Sequence, residues 1–236
     1  MSPQEVADFT RAQPYLYHLS AVENRASIER HGLLSTSALL DLHGVAGPAR
    51  APFEQDQRRA ALALPGAAPP VVLRDQIPLV ETKLAACLRD GLTPRDWRLM
   101  LNSRVFFFPS LARVQALLGA SVNRGRPQLL ISLHAAAVLA AYAQAITLSP
   151  LNSGSVLYVP QPRGLDTHAR IPDFAYAAWR GKRGRPDRAI AEIAVDYAMP
   201  DAARFIDAIS VVTACPAPLA ERDKRRTSTK DRATRI

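Results

Sequence analysis

The feature that most constrains the fold is an irregular alternation of short apolar segments with helix-start signals. Ser2-Pro3-Gln4-Glu5 and Thr93-Pro94-Arg95-Asp96 each combine a capping side chain, a first-turn proline and an acid three residues after the cap, which predicts helices over 3–12 and from 94 onward. No Gly-x-Gly-x-x-Gly follows an apolar segment. The sequence therefore predicts an α+β domain rather than a doubly wound parallel sheet. The predicted strands are 15–19, 71–73, 104–108, 129–133, 145–148, 155–159, 189–197 and 205–212.

Serine and glycine residues at typical capping positions predict most of the remaining helices. Ser20 and Glu23 have the spacing of another capping box, so a helix is expected to start at Ser20 and to end at Gly32 in the left-handed conformation. Ser35 or Ser37 is expected to cap a helix that runs to Leu42. Further helices are predicted at 76–89, 110–118 and 135–144.

Composition separates one domain from a tail. Residues 1–216 are long enough to form a single core, whereas 217–236 contain few apolar residues and are expected to form a disordered basic tail. Between 44 and 70 the chain is rich in Pro, Gly and Ala, and it contains the charged run FEQDQRRAALAL. This segment is expected to be either one amphipathic helix or a mobile lid.

The positive charge is shared by the domain and the tail. The tail holds seven Lys or Arg and three acids, a balance of +4, which leaves +5 of the formal +9 on residues 1–216. A basic domain is attracted to polyanions such as DNA and RNA, but ordinary solvated surface explains the same charge. Charge alone leaves both interpretations open.

Several classes of protein do not fit the sequence. Cys87 and Cys215 lack CxxC spacing, so neither a disulfide framework nor a zinc ribbon is expected. Motifs of serine hydrolases, P-loop proteins and zinc proteases are missing, and the five histidines lack metal-ligand spacing. Polar residues interrupt the longest apolar stretch, LLISLHAAAVLAAYAQAI. We therefore expect a cytoplasmic protein without a membrane span and without a catalytic metal.

Two segments carry a family resemblance. YLYHLSAVENRASIERHGLLS at 15–35 and AEIAVDYAMPDAARFIDAISV at 191–211 resemble the first and last motifs of DarT-like ADP-ribosyltransferases, in the same order. The resemblance implies a mixed central sheet of short strands flanked by helices. It also implies NAD as co-substrate, mono-ADP-ribosyl transfer (a pentosyl transfer) as the reaction and a nucleic acid as acceptor.

The same resemblance assigns the residues of the site. Glu192 is the implied catalytic carboxylate, which orients the ribose and stabilises an oxocarbenium-like transition state. His18 and Ser20 are expected at a ribose, and Gly32 at the turn against the cofactor. Arg74 is expected in a catalytic role or at the pyrophosphate, with Arg104 as the second candidate. The alternatives are a solvated or ion-paired Glu192, a core histidine at 18 and arginines in surface salt bridges.

The acceptor side is expected near two loops. Asn152 lies in a predicted tight turn, and 179–188 form a predicted basic loop just before Glu192. Phosphate contact and base stacking would suit that loop, although ordinary solvated surface explains it equally well. Its candidate residues are Trp179, Arg180, Lys182, Arg183 and Arg185. A non-catalytic NAD-binding or nucleotide-binding module and a transferase acting on protein remain open, as does the identity of any antitoxin or hydrolase partner.

Overall fold

The computed structural model describes residues 1–120, 123, 125–157, 160–184 and 188–213. Helices and strands alternate along the chain, which confirms the α+β prediction. The helices are α1 (Pro3–Ala12), α2 (Arg25–His31), α3 (Thr36–Leu42), α4 (Ala51–Glu54), α5 (Glu81–Cys87), α6 (Pro94–Asn102), α7 (Leu111–Leu118), α8 (Ala135–Ala141) and α9 (Tyr176–Arg183). The strands are β1 (Tyr15–Ala21), β2 (Leu33–Leu34), β3 (Leu62–Ala63), β4 (Val72–Leu73), β5 (Arg104–Phe107), β6 (Gln128–His134), β7 (Ile146–Ser149), β8 (Ala169–Arg170), β9 (Glu192–Asp196), β10 (Ala198–Met199) and β11 (Ile206–Val212).

Two larger sheets form the centre of the domain. One has the order β1-β6-β11 and the other β5-β9-β7-β8, and every pairing within them is antiparallel. The two sheets touch where β1 meets the end of β5, at the bridge between Tyr17 and Phe108. β2 pairs with β10, and β3 pairs with β4 in a small hairpin.

The strands bury different residues on their two faces. Leu16 of β1, Phe107 of β5 and Ile193 of β9 belong to the largest core cluster. Phe106 points the other way and packs against a second cluster that contains Trp97 of α6. This alternation, which follows from the two-residue period of a strand, decides which side of the sheet each site residue occupies.

Local helix signals are confirmed where the cap is complete. Ser2 and Glu5 form both bonds of a capping box at α1, and Thr93 and Asp96 do the same at α6. Ser35 caps α3 through a bond from the Ala38 amide. These signals are local because each cap is formed by residues close in sequence.

The prediction of a capping box at Ser20 is wrong. Ser20 remains in β1 opposite Leu129 of β6, and a 3-10 turn over Val22–Asn24 precedes α2. Pairing with the central strand outweighs the local preference for a helix start. Gly32 ends α2 with a positive φ of 77° as expected, but its ψ of −158° lies outside the left-handed helical region.

The segment at 44–70 is neither one long helix nor a single loop. It contains a 3-10 turn over Gly47–Arg50, the short helix α4 and strand β3. The predicted helix at 76–89 shortens to α5. No strand forms at 155–157, and 158–159 lie outside the described residues. The predicted tail at 217–236 also lies outside them.

The predicted basic loop begins as a helix. Residues 179–183 are the C-terminal half of α9, where Tyr176 is buried and Trp179 packs against the main core cluster. None of the helices in the described part of the chain is long and apolar enough to cross a membrane.

Candidate functional site

The two large sheets separate beside His18. Tyr17 and Phe108 exchange backbone bonds of 2.9 and 2.8 Å, and beyond this pair no further backbone pairing joins β1 to β5 among the described residues. The His18 ring takes the place of the next ladder bond, because its Nδ1 lies 2.9 Å from the Phe106 carbonyl oxygen. A carbonyl can only accept, so Nδ1 carries the proton and Nε2 presents a lone pair. The histidine in β1 therefore satisfies a carbonyl of β5 at the point where the two sheets separate.

The environment of His18 keeps its imidazole neutral. Burial lowers the pKa of His18, and the positive charge of Arg74 lowers it further, while the bond to Phe106 acts in the opposite direction. Burial is the largest of these effects because it disfavours the charged form. A neutral ring with Nε2 unprotonated is a hydrogen-bond acceptor at physiological pH.

Ser20 and Asn24 form the polar wall next to His18. The Asn24 amide donates to Ser20 Oγ at 3.0 Å and to the Val72 carbonyl at 2.9 Å, and its oxygen accepts from the Val72 amide at 2.6 Å. Asn24 therefore attaches β4 to the β1 corner. Because Ser20 Oγ is an acceptor in this contact, its hydroxyl hydrogen can be donated to a ligand.

These side chains line one cleft, which we call the His18 cleft. It is small, with about 40 Å³ of free space, and it is lined by His18, Ser20, Asn24, Ser27, Ile28, Gly32, Leu33, Leu34, Leu39 and Val71. His18, Ser20 and Gly32, which the sequence resemblance places at the cofactor, are among these lining residues. Position 32 requires a glycine, because a Cβ there would lie 2.2 Å from the Met199 carbonyl oxygen and 2.6 Å from that of Pro200.

Arg74 lies close to the His18 cleft and is partly buried. Its guanidinium donates to Asn123 Oδ1 at 2.9 Å, and its charge acts on His18. Burial lowers the pKa of Arg74, which Asp75 partly offsets. Asp75 itself pairs with Arg126 at 3.3 Å.

A second arginine lies beside Arg74 without a carboxylate. Arg58 is buried, and it donates to the Arg74 carbonyl at 2.8 Å, to Asn102 Oδ1 at 3.1 Å and to the Phe53 carbonyl. Burial lowers its pKa to about 10. Among the ion pairs of the described residues, none joins Arg58 or Arg74 to a carboxylate. The region has an excess of positive charge.

Arg104 is not brought to the His18 cleft. It begins β5, pairs with Asp196 of β9 at 3.2 Å and donates to the Met100 carbonyl at 3.0 Å. Strand alternation places Arg104 on the Phe106 side of the sheet, whereas His18 stacks against Phe107 with ring centroids 5.7 Å apart. Of the two candidate arginines, Arg74 is the one beside His18.

Glu192 begins β9 and is 7% exposed. Its Oε2 accepts two hydrogen bonds from Ser153, from the amide at 3.0 Å and from Oγ at 2.5 Å. Burial raises the pKa of Glu192, and the Ser153 bonds together with Arg113 and Arg163 oppose that rise. Glu192 shares the strand face of Ala194 and Phe106, so among the described residues it is not part of the lining of the His18 cleft.

A buried polar cluster around Ser153 was not foreseen from the sequence. The Ser153 carbonyl accepts from Trp97 Nε1 at 3.2 Å and from Arg163 at 3.0 Å. His168 lies nearby, with its ring centroid 6.2 Å from that of Trp97, and both of its nitrogens are buried with no hydrogen-bond partner among the described residues. Burial lowers the pKa of His168 to about 3. No local pattern marks this cluster, because its members are far apart in sequence. By contrast, Asn24 of the His18 cleft could have been found from the sequence, because it lies inside the first motif of the resemblance.

The acceptor-side residues occupy the surface. Lys182 Nζ and Arg183 Cζ lie 4.9 and 5.6 Å from the Trp179 ring centroid. Arg183 also donates to the Pro150 carbonyl at 2.9 Å, and Arg180 is exposed. Asn152 is exposed just before the turn that contains Ser153, and Arg185 lies outside the described residues.

Comparison with known proteins places the chain in a family. A family model described as a family of unknown function (DUF7002) matches residues 14–206. The chain belongs to DUF7002. The match begins one residue before β1 and ends at the first residue of β11, so it includes both the His18 cleft and Glu192. No curated protein and no solved structure matches the chain.

No metal centre is evident at these sites. In the described ranges, no group of three or more His, Cys, Asp and Glu side chains is arranged to hold a metal ion.

Proposed function

We propose that this protein is an NAD-dependent mono-ADP-ribosyltransferase that binds NAD at the His18 cleft and modifies a nucleic acid. The observation that supports this most is the convergence of His18, Ser20 and Gly32 on one cleft, with Arg74 beside it. His18 and Ser20 belong to β1, Gly32 ends α2 and Arg74 follows β4. The sequence resemblance had assigned all of them to NAD.

The hydrogen-bonding capacity of the cleft suits a sugar hydroxyl. A hydroxyl can donate to the lone pair of His18 Nε2 and accept from Ser20 Oγ at the same time. With about 40 Å³ of free space the cleft is much smaller than a typical small-molecule site, so we assign it to the hydroxyl edge of one ribose rather than to the whole dinucleotide. Arg74, which lacks a carboxylate in the described ion pairs, would then pair with the pyrophosphate.

The reaction requires a carboxylate near the bond that breaks. The bond from the ribose to nicotinamide breaks, nicotinamide leaves with the bonding electrons, and the acceptor forms a new bond to the ribose and loses a proton. An ionised Glu192 would stabilise the positive charge that develops on the ribose. Two hydrogen bonds from Ser153 favour the ionised form, although burial opposes it.

A second candidate function is NAD or nucleotide binding without transfer. The observation that favours it is the position of Glu192, which is buried, held by Ser153 and on the strand face away from His18. Nicotinamide release by the purified protein separates the two candidates, because a binding module would bind NAD without releasing nicotinamide.

Calorimetric titration with NAD tests the cleft. His18→Ala should weaken NAD binding by about 1–3 kcal/mol, because it removes a hydrogen bond and leaves the Phe106 carbonyl without its partner. Arg74→Ala should weaken binding roughly tenfold to a hundredfold through loss of a charge-assisted bond. Arg104→Ala is the matched control and should bind NAD like the wild type. Unchanged affinity in both His18→Ala and Arg74→Ala would reject the cleft as the NAD site.

The C-terminal half of α9 supports a nucleic acid as acceptor. It presents Arg180, Lys182 and Arg183 to solvent just before the Glu192 strand. Two of these cations lie near the Trp179 ring, which packs against the core, so we assign this surface to phosphate contact rather than to base stacking. Phosphate contacts release counterions and make binding depend on salt.

Replacing Arg180, Lys182 and Arg183 together by Ala should flatten the salt dependence of oligonucleotide binding. Each lost phosphate contact should reduce the log–log slope by about 0.7 for a single strand. NAD affinity should not change. The charge-matched control replaces three exposed and scattered arginines, Arg11, Arg95 and Arg204. If both triple variants have the same slope, or if labelled ADP-ribose from NAD is found on protein alone, the acceptor is not a nucleic acid bound at α9.

A further inference from the structure

Ser153 donates hydrogen bonds to the Glu192 carboxylate, and the carbonyl of Ser153 accepts hydrogen bonds from other side chains. The amide and hydroxyl of Ser153 donate to one carboxylate oxygen, Oε2, and leave Oε1 outside this pair of bonds. The Ser153 carbonyl accepts from Trp97 and from Arg163. The orientation of the carboxylate therefore depends on the peptide of Ser153, and this peptide is fixed by two donors.

Arg163 connects both ends of this turn. Its guanidinium donates to the carbonyls of Ser153 at 3.0 Å, Ser155 at 3.2 Å and Gln161 at 3.2 Å. Its own backbone is bound on both sides, since its amide donates to Cys87 and its carbonyl accepts from the Arg89 amide, each at 2.9 Å. The side chain is thus anchored to the end of α5 and reaches the loop that holds Glu192.

The charge of Arg163 has no carboxylate in direct contact among the described ion pairs. The residue is 2% exposed, and its guanidinium is bound to carbonyls rather than to a carboxylate, so its charge must be balanced by groups at a longer distance. Burial lowers the pKa of Arg163, and Cys87 and Glu192 oppose that drop, while Arg113 and Arg163 oppose the rise that burial causes in the pKa of Glu192. Arg163 and Glu192 therefore compensate each other through Ser153 rather than by direct contact.

We infer that Arg163 is a positioning residue for Glu192, which it orients by fixing the Ser153 peptide. This inference rests on the proposed function for its catalytic consequence, because Glu192 matters to turnover only if the protein transfers ADP-ribose. Its structural part is independent of that function. Arg163 is assigned no contact with NAD.

Two substitutions separate charge from geometry. Arg163→Gln removes the positive charge, so the protonated form of Glu192 should persist to higher pH than in the wild type. Arg163→Lys keeps the charge but loses the fork that joins Ser153 to Ser155. Both variants should release nicotinamide about tenfold more slowly at neutral pH, the loss expected for one hydrogen bond to a charged group. Arg163→Gln should move the acid limb of the pH profile to higher pH by more than Arg163→Lys does, and KM for NAD should stay constant.

The test combines a titration with a rate. Carbon-13 titration of the glutamate side chains, with Glu192 identified by its loss in Glu192→Gln, reports the protonation of Glu192 whether or not the protein is active. We expect a higher midpoint in Arg163→Gln and a smaller rise in Arg163→Lys, which keeps the charge but no longer fixes the Ser153 peptide. Equal midpoints in wild type and Arg163→Gln would overturn the inference even if turnover fell. Absence of nicotinamide release by the wild type would instead reject the proposed function and leave this titration as the deciding result for Arg163.

Ser153→Ala covers the case in which the Arg163 variants do not fold. It removes the Oγ bond to Glu192 and keeps the backbone bonds of the turn. Loss of a donor to the ionised carboxylate should move the Glu192 midpoint upward, as in Arg163→Gln. A midpoint equal to that of the wild type would show that the Ser153 turn does not affect the protonation of Glu192. The inferred role of Arg163 would then be rejected as well.

Discussion

Glu192→Gln is expected to slow nicotinamide release by on the order of a hundredfold or more while NAD affinity stays at the wild-type level. Gln has the shape of Glu, and its carbonyl oxygen can accept the two bonds from Ser153, so the loop should remain in place. What it removes is the negative charge that would stabilise the transition state. A variant with wild-type turnover would exclude Glu192 as the catalytic carboxylate.

Stability measurements show whether any loss of turnover comes from misfolding. Burial raises the pKa of Glu192 in the folded state. Between the unfolded and the folded pKa the folded protein binds more protons, so the contribution of Glu192 to stability falls as pH rises through that interval. Glu192→Gln should therefore be at least as stable as the wild type at pH 8, and the difference should shrink in acid. Urea unfolding at two pH values measures this.

Gly32→Ala is expected to destabilise the fold by at least about 3 kcal/mol. A methyl group at this position would approach the carbonyl oxygens of Met199 and Pro200 to less than 3 Å, and both are backbone atoms that cannot rotate away. The φ of 77° combined with a ψ of −158° is also a conformation that essentially only glycine adopts. The contact between α2 and β10 would have to open.

Gly44→Ala is the matched control for this substitution. Gly44 has a similar φ of 67°, but a Cβ added there would have nothing within 4 Å. It should lose only the conformational term of about 1–2 kcal/mol. Equal losses of unfolding free energy in the two variants would show that the close approach of Gly32 to residues 199–200 does not contribute. In that case Gly32 would be explained by its φ alone.

Local structure followed from sequence where the signal and its partner are close together. The capping boxes of Ser2 with Glu5 and of Thr93 with Asp96 are made within a single turn, so their residue types predict the bonds that form. Strands such as β5 and β6 were also predicted well, because alternating burial follows from the strand period. The α+β class required no more than the order of these elements.

Tertiary packing overrode the local signal at two places. Ser20 has the spacing of a helix cap, but strand pairing with β6 keeps it extended. The glycines and charges of residues 179–184 suggested a loop, whereas packing of Tyr176 and Trp179 against the core stabilises α9. Local propensity is weak compared with strand pairing and with the burial of aromatic side chains. Neither the pairing of Ser20 nor the burial of Tyr176 and Trp179 was visible in the sequence.

By itself, the sequence determined that His18, Ser20 and Gly32 meet, because they lie within one short motif whose strand, turn and helix bring them together. Only the tertiary structure decided the surroundings of Glu192. Its partner Ser153, and the Trp97 and Arg163 side chains that bond the Ser153 carbonyl, are separated from it by long stretches of chain and meet through packing of distant elements. Strand register, which depends on pairing between β5 and β9, also decided that Glu192 and His18 face different sides of the sheet.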